Sequence, residues 1–125
     1  MLNLSNDLLD GLVRRAEDSP RSRQFFNIHQ HHDEPCQRLL NAINIGSYIQ
    51  PHRHIDSGKK ELLVALKGKF ALITFSDQGE LNDFTFFATE KYLDHATTSS
   101  GIELDCGCWH TVIAIKPNSV LLEVK

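Results

Sequence analysis

The sequence predicts an all-β fold, a sandwich or barrel, preceded by a single α-helix, and three observations carry that expectation. Between Ser5 and Glu17, Leu8, Leu9, Leu12, Val13 and Ala16 recur at three- and four-residue spacing, which gives one apolar helical face. Beyond Pro20, short segments rich in Ile, Val, Phe, Leu and Thr alternate with turn residues every eight to twelve positions. Finally, 125 residues with 41% apolar and 23% charged side chains suffice for one buried core and one compact unit.

Each element has a local reason. Ser5 or Asn6 can cap the helix and Asp7 complements its positive end. Ser19-Pro20 stops it, because a residue before proline is pushed out of the helical region. Residues 1–20 are therefore read as a helix and connector packed on a β-domain spanning 21–125. Strands are expected at Gln24–Ile28, Arg38–Asn44, Tyr48–His54, Glu61–Lys67, Phe70–Ser76, Asp83–Ala88, Tyr92–Ala96, Gly101–Leu104, Trp109–Lys116 and Ser119–Val124. Lys67-Gly68-Lys69 reads as a tight hairpin, Asp77-Gln78-Gly79-Glu80 as the next turn and Lys116-Pro117-Asn118-Ser119 as the last. No internal repeat and no low-complexity tract interrupts the pattern.

Charge and length narrow the partners. Thirteen Lys+Arg against 16 Asp+Glu leave a net charge of −3 and no basic stripe, which points away from nucleic acid and anionic membranes. Apolar runs reach only about five residues, far below the roughly 20 that span a bilayer. No cationic stretch precedes an apolar one near Met1, so a cytoplasmic location is expected. Cys36, Cys106 and Cys108 are an odd number and read as reduced thiols.

The chemistry concentrates in the seven histidines, above all in Pro51-His52-Arg53-His54. On a strand, alternate side chains leave the same face, so His52 and His54 would project together about 6.6 Å apart. Two imidazoles so placed can lean onto one ion at about 2.0–2.1 Å from each nitrogen. Glu61, brought alongside by a turn, and His110, from a distant strand, complete a set of three imidazoles and one carboxylate. That set suits one divalent first-row ion: Fe, Mn, Ni, Co or Zn.

Gly46 stands six residues before His52, and Gly68 seven after Glu61. This resembles the first signature of the cupin superfamily, with six residues, Ile55 to Lys60, in place of three or four between His54 and the glutamate. In the second signature Gly107 and His110 keep their places, while Asp105 stands for the proline and Ala114 for the asparagine. Over nearly the whole chain, Gln37-Arg38-Leu39-Leu40-Asn41-Ala42, Gly46-Ser47-Tyr48-Ile49-Gln50-Pro51-His52-Arg53-His54, Trp109-His110-Thr111-Val112 and Leu122-Glu123-Val124-Lys125 are similar to the WbuC-type cupin-fold metalloproteins. That resemblance implies a metal-binding double-stranded β-helix (a cupin, or jelly-roll, barrel). It also implies a homodimer and a setting in bacterial O-antigen biosynthesis.

Strand parity would extend the pocket. If the strand is regular across Pro51, Tyr48 and Gln50 line the cavity beside His52 and His54, where a phenol and an amide can orient a polar substrate. The alternative leaves the Tyr48 hydroxyl in water at the barrel's end. Glu61, Leu63 and Ala65 face inward together, and Arg53 faces the other way. Cys106, Cys108 and His110 share parity only if the strand runs unbroken through Gly107; a small inward Cys108 packing under the metal is preferred to a thiolate zinc site. His29 follows an apolar strand and is left open between pocket and turn, His31 and His32 read as a solvated turn, and His95 as a surface residue.

Two functions remain open at this point. One is a metal-dependent enzyme acting on a small polar molecule, a sugar or sugar nucleotide, by isomerisation, epimerisation or dioxygenation, with Tyr48 and His29 as the candidates for moving a proton. The other is a non-catalytic module in which the ion fixes a small ligand.

Overall fold

The computed structural model describes residues 1–55 and 58–125. One helix, α1 (Asn6–Asp18), precedes eight strands: β1 (Arg23–Asn27), β2 (Arg38–Ile43), β3 (Glu61–Lys67), β4 (Lys69–Phe75), β5 (Leu81–Ala88), β6 (Gly101–Leu104), β7 (Trp109–Ala114) and β8 (Ser119–Val124). They form two antiparallel sheets, one of five strands in the order β1-β2-β8-β3-β6 and one of three in the order β5-β4-β7. The jelly-roll expectation is met. Of the long six-residue connection expected between His54 and Glu61, Asp56 and Ser57 lie outside the described residues.

Alternation along the strands builds two cores. Between the sheets, Ile43, Leu63, Ala65 and Leu121 of the large sheet meet Phe70, Leu72, Phe87 and Val112 of the small one, with Phe70 and Phe87 stacked at 5.3 Å between ring centroids. On the outer face of the large sheet, Leu40, Ala42 and Val120 receive Leu9, Leu12, Val13 and Ala16 of α1. Ser5 caps that helix, its hydroxyl accepting from the Leu8 amide at 3.2 Å. So β8 serves both cores, with Leu121 facing inward and Val120 facing the helix.

Three local expectations change. Lys67-Gly68-Lys69 is not a hairpin: β3 and β4 lie in different sheets, and Gly68 at φ +77° is the corner where the chain crosses. The Lys116–Ser119 turn crosses in the same way, from β7 to β8. Tyr92–Ala96 is not a strand, because a single 3₁₀ turn at Glu90–Tyr92 takes up its start and Asp94 binds the amides of Ala96 and Thr97. Nor is Tyr48–His54 a strand; only His52 pairs, through one bridge to His110.

Candidate metal centre

The segment 49–54 is laced onto the start of β7 by backbone groups. The Thr111 hydroxyl donates to the Ile49 carbonyl at 2.5 Å, and His52 and His110 exchange amide and carbonyl at 3.0 and 2.9 Å. Gly107, at φ +80°, then donates its amide to the His54 carbonyl at 3.0 Å. That lacing sets the histidines against one another despite the missing strand. The His52 ring lies 5.2 Å from His54 and 4.5 Å from His110 between centroids, and one nitrogen of each of the three falls within 4.8 Å of the others.

The tautomers are set by the chain itself. His52 Nδ1 lies 2.9 Å from the Gln50 carbonyl, and His110 Nδ1 lies 2.9 Å from that of Cys108. A carbonyl can only accept, so each Nδ1 carries the hydrogen and each Nε2 turns a lone pair into the cluster. Glu61, only 4% exposed at the head of β3, brings Oε2 to 3.3 Å from His110 Nε2 and 3.5 Å from His54 Nε2. Neither of its oxygens has a hydrogen-bond partner of good geometry among the described residues. With neutral imidazoles those oxygens face lone pairs, a poor arrangement by itself and a natural one around a cation; without an ion the relief is a proton shared with His110 Nε2 at 3.3 Å or with Glu123. The residues present fit a divalent ion.

The electrostatics agree with that placement. Burial works to raise the Glu61 carboxyl, but the facing His110 ring, then Lys125 and His54, outweigh it and hold its pKa below the usual value. His54 is lowered by burial and then by the Lys125 charge. Burial also works against a charged His110, yet Glu61 and the Cys108 carbonyl raise it overall. Behind them Glu123 on β8, held between Asn41 and Glu61, is pushed up to about 7, chiefly by burial and then by the Glu61 charge.

A family whose sequence model is described as Domain of unknown function (DUF6016) matches residues 4–86. The chain belongs to the DUF6016 family. No curated protein matches it. Among solved structures, it is similar to a cupin superfamily protein from Desulfitobacterium hafniense, at 14% identity over 82% of this chain and 76% of that one, TM-score 0.56. It is similar also to KdgF from Halomonas sp., at 14% identity over 85% and 78% of the two chains, TM-score 0.54. Oxalate decarboxylase from Bacillus subtilis, described with Mn(II) centres, is similar at 12% identity over 82% of this chain, TM-score 0.56; the chain spans 24% of its length. These likenesses show the DUF6016 chain to have the cupin fold.

Within this DUF6016 chain, His52, His54 and His110 meet, Glu61 stands against His54 and His110 without joining the three-histidine group, and Leu63 and Ala65 lie beneath Glu61 on the inner face of β3. Tyr48 does not join them. With no regular strand across Pro51 its parity is lost, and it stands 71% exposed in a separate cavity with Arg21, Arg23 and Gln50. Gln50 serves the cluster through its carbonyl, on His52. His29 is buried with Nδ1 against the Arg38 amide and carbonyl, at 3.1 and 2.9 Å, so its ring pins the turn that follows β1. Cys108 packs against the inter-sheet core, and the positive φ of Gly107 breaks the parity that would have aligned Cys106 with it. Arg53 points away, over the Trp109 ring at 4.8 Å and toward Asp77 at 3.6 Å. His31, His32 and His95 are exposed.

Sequence reasoning missed Glu123 and Lys125. Their signal was available: in the final strand Leu121, Glu123 and Lys125 share the inward parity.

A pH dependence follows for the metal-free protein. The ordinary carboxyl value for Glu123 is 4.5, and the folded value is about 7. The unfolded chain therefore loses that proton first, and stability falls as pH rises from about 4.5 to about 7. His110, raised above 6.5, adds to the loss as pH climbs past its folded value; His54, lowered, opposes it below 6.5. The Glu123 shift is the large one. Chelator-treated protein should be less stable at pH 8 than at pH 5 by on the order of 2–3 kcal/mol, and Glu123→Gln should flatten most of that slope in a melting series.

Proposed function

We propose that His52, His54, His110 and Glu61 hold one divalent first-row transition ion, and that this chain is a WbuC-type cupin acting on a small polar substrate. The supporting observation is the pair of Nε2 lone pairs fixed by Nδ1 bonds to the Gln50 and Cys108 carbonyls, facing a buried carboxylate that lacks donors. Three imidazoles and a carboxylate leave coordination positions open, and the bound ion would supply Lewis-acid or redox chemistry there. The chain's own residues orient the rings, keep the inner wall dry through Leu63 and Leu104, and leave the approach to the cluster polar.

A sugar or sugar nucleotide of O-antigen biosynthesis is the substrate class proposed, with isomerisation, epimerisation or dioxygenation as the reaction. A homodimer is proposed from the same resemblance. Neither Tyr48 nor His29 borders the cavity that His54 and Glu61 line, so the proton-moving role falls to neither of them here. The second reading, a non-catalytic module that holds its ligand at the ion, is favoured by that lack. Incubating the metal-loaded protein with nucleotide-linked and free sugars separates the two. Conversion supports the enzyme, whereas tight binding with release of unchanged ligand supports the module and overturns the enzymatic reading.

A further inference from the structure

The metal reading leaves one charge beside the cluster without a role. Lys125 is held like a strand residue, its amide donating to the Gln37 carbonyl at 2.9 Å and its carbonyl accepting from the Gln37 amide at 2.7 Å. Its parity is that of Leu121 and Glu123, and its ammonium reaches to 3.4 Å from His54 Nε2. Among the described residues Lys125 makes no salt bridge, and the side chain its Nζ hydrogen-bonds is an imidazole whose lone pair an ion would use.

Lys125, His54 and Glu61 form one wall of a cavity of about 430 Å³, and the turn carrying His32, Asp33 and Gln37 forms the other. That volume suits a molecule of several carbon atoms. Glu34, on the same turn, is committed to the Gln30 and His31 amides and to Arg38. Lys59 at the rim donates to the Pro35 carbonyl and ties the turn down.

Charge then selects the occupant. With a divalent ion on the histidines, Lys125 beside it and Lys59 at the rim, four positive charges face at most three unpaired negative ones, from Glu61, Glu123 and Asp33, since Glu34 is paired with Arg38. Glu61 and Glu123 offset part of the Lys125 charge, and an anion that touches both the ammonium and the ion offsets the rest. We infer that the cavity takes a small organic acid, with one oxygen directed to the ion site and a carboxylate held by the Lys125 ammonium. A neutral polyol would leave that ammonium opposed to the ion. The inference rests on the metal reading above and narrows the small polar substrate proposed there to one that carries a carboxylate.

The test uses cobalt(II)-loaded protein, whose visible absorption reports ligands reaching the ion. Glycolate and its neutral counterpart glycolamide are titrated into the wild type, Lys125→Met and Lys125→Arg. The wild type should answer glycolate at about tenfold lower concentration than glycolamide. Lys125→Met should erase that preference with cobalt stoichiometry unchanged, and Lys125→Arg should keep most of it. Equal responses in the wild type, or a preference that survives in Lys125→Met, overturn this inference alone. Failure of the wild type to take up cobalt overturns the metal reading and the inference together.

Discussion

Replacing His52 or His54 with alanine should abolish uptake of a divalent ion and leave the barrel folded. Each variant removes one of three converging imidazoles, so affinity should fall well beyond the roughly 10–100-fold seen when an outer-sphere partner is lost. The barrel should persist because neither ring belongs to the inter-sheet core or to the core beneath α1. The lacing of segment 49–54 onto β7 also runs through backbone groups of His52, His54 and Ile49, which alanine keeps. His110 is a different case: it is 3% exposed and faces Glu61, so truncating it strands a buried carboxylate as well as removing a ligand. Metal analysis paired with thermal melting checks all three variants. Full occupancy in His52→Ala or His54→Ala would refute the ligand assignment.

The second large effect lies far from the cluster. Gly68→Ala should cost about 3–5 kcal/mol, a large part of the 5–15 kcal/mol that holds a domain of this kind together. Two penalties combine. The residue sits at φ +77°, where a Cβ costs roughly 1–2 kcal/mol. In addition, the new Cβ would stand only 2.8 Å from the Ser119 Cα, so the start of β8 must shift or the corner must open. Ser119 is itself fixed there, its hydroxyl donating to the Lys116 carbonyl at 2.6 Å and accepting from the Lys69 amide at 3.2 Å. Because Gly68 is where the chain passes between sheets, strain there reaches both β3 and β4. Denaturant unfolding measures it, and a loss below about 1 kcal/mol would show the corner to be soft.

Gly68 also illustrates what could be read before the structure. Its position seven residues after Glu61 marked a turn, but a three-residue turn looks the same whether it closes a hairpin or carries the chain to a facing sheet. Local chemistry specifies the sharp reversal, while sheet membership depends on contacts with β5, β7 and β8 that are remote in sequence. The nearness of the three histidines was legible for the opposite reason: His52 and His54 are local, and His110 stands three residues after Gly107, as in the second signature, whereas the spacing to Glu61 departs from the first. The Tyr48 assignment failed because it borrowed strand periodicity for a segment held by one bridge and one hydroxyl. Glu123 and Lys125 were passed over because a charged residue in a terminal strand looks solvated until its pairing partners, Leu39 and Gln37, fix the inward face.

The account stands on an ion held among His52, His54, His110 and Glu61, and elemental analysis of natively purified protein addresses it most directly. Close to one equivalent of a first-row transition metal per chain, lost in a His52→Ala, His54→Ala double variant that still melts cooperatively, is the expected result. Protein that carries no such metal, and takes up none of Mn, Fe, Co, Ni or Zn when each is offered at neutral pH, would contradict it.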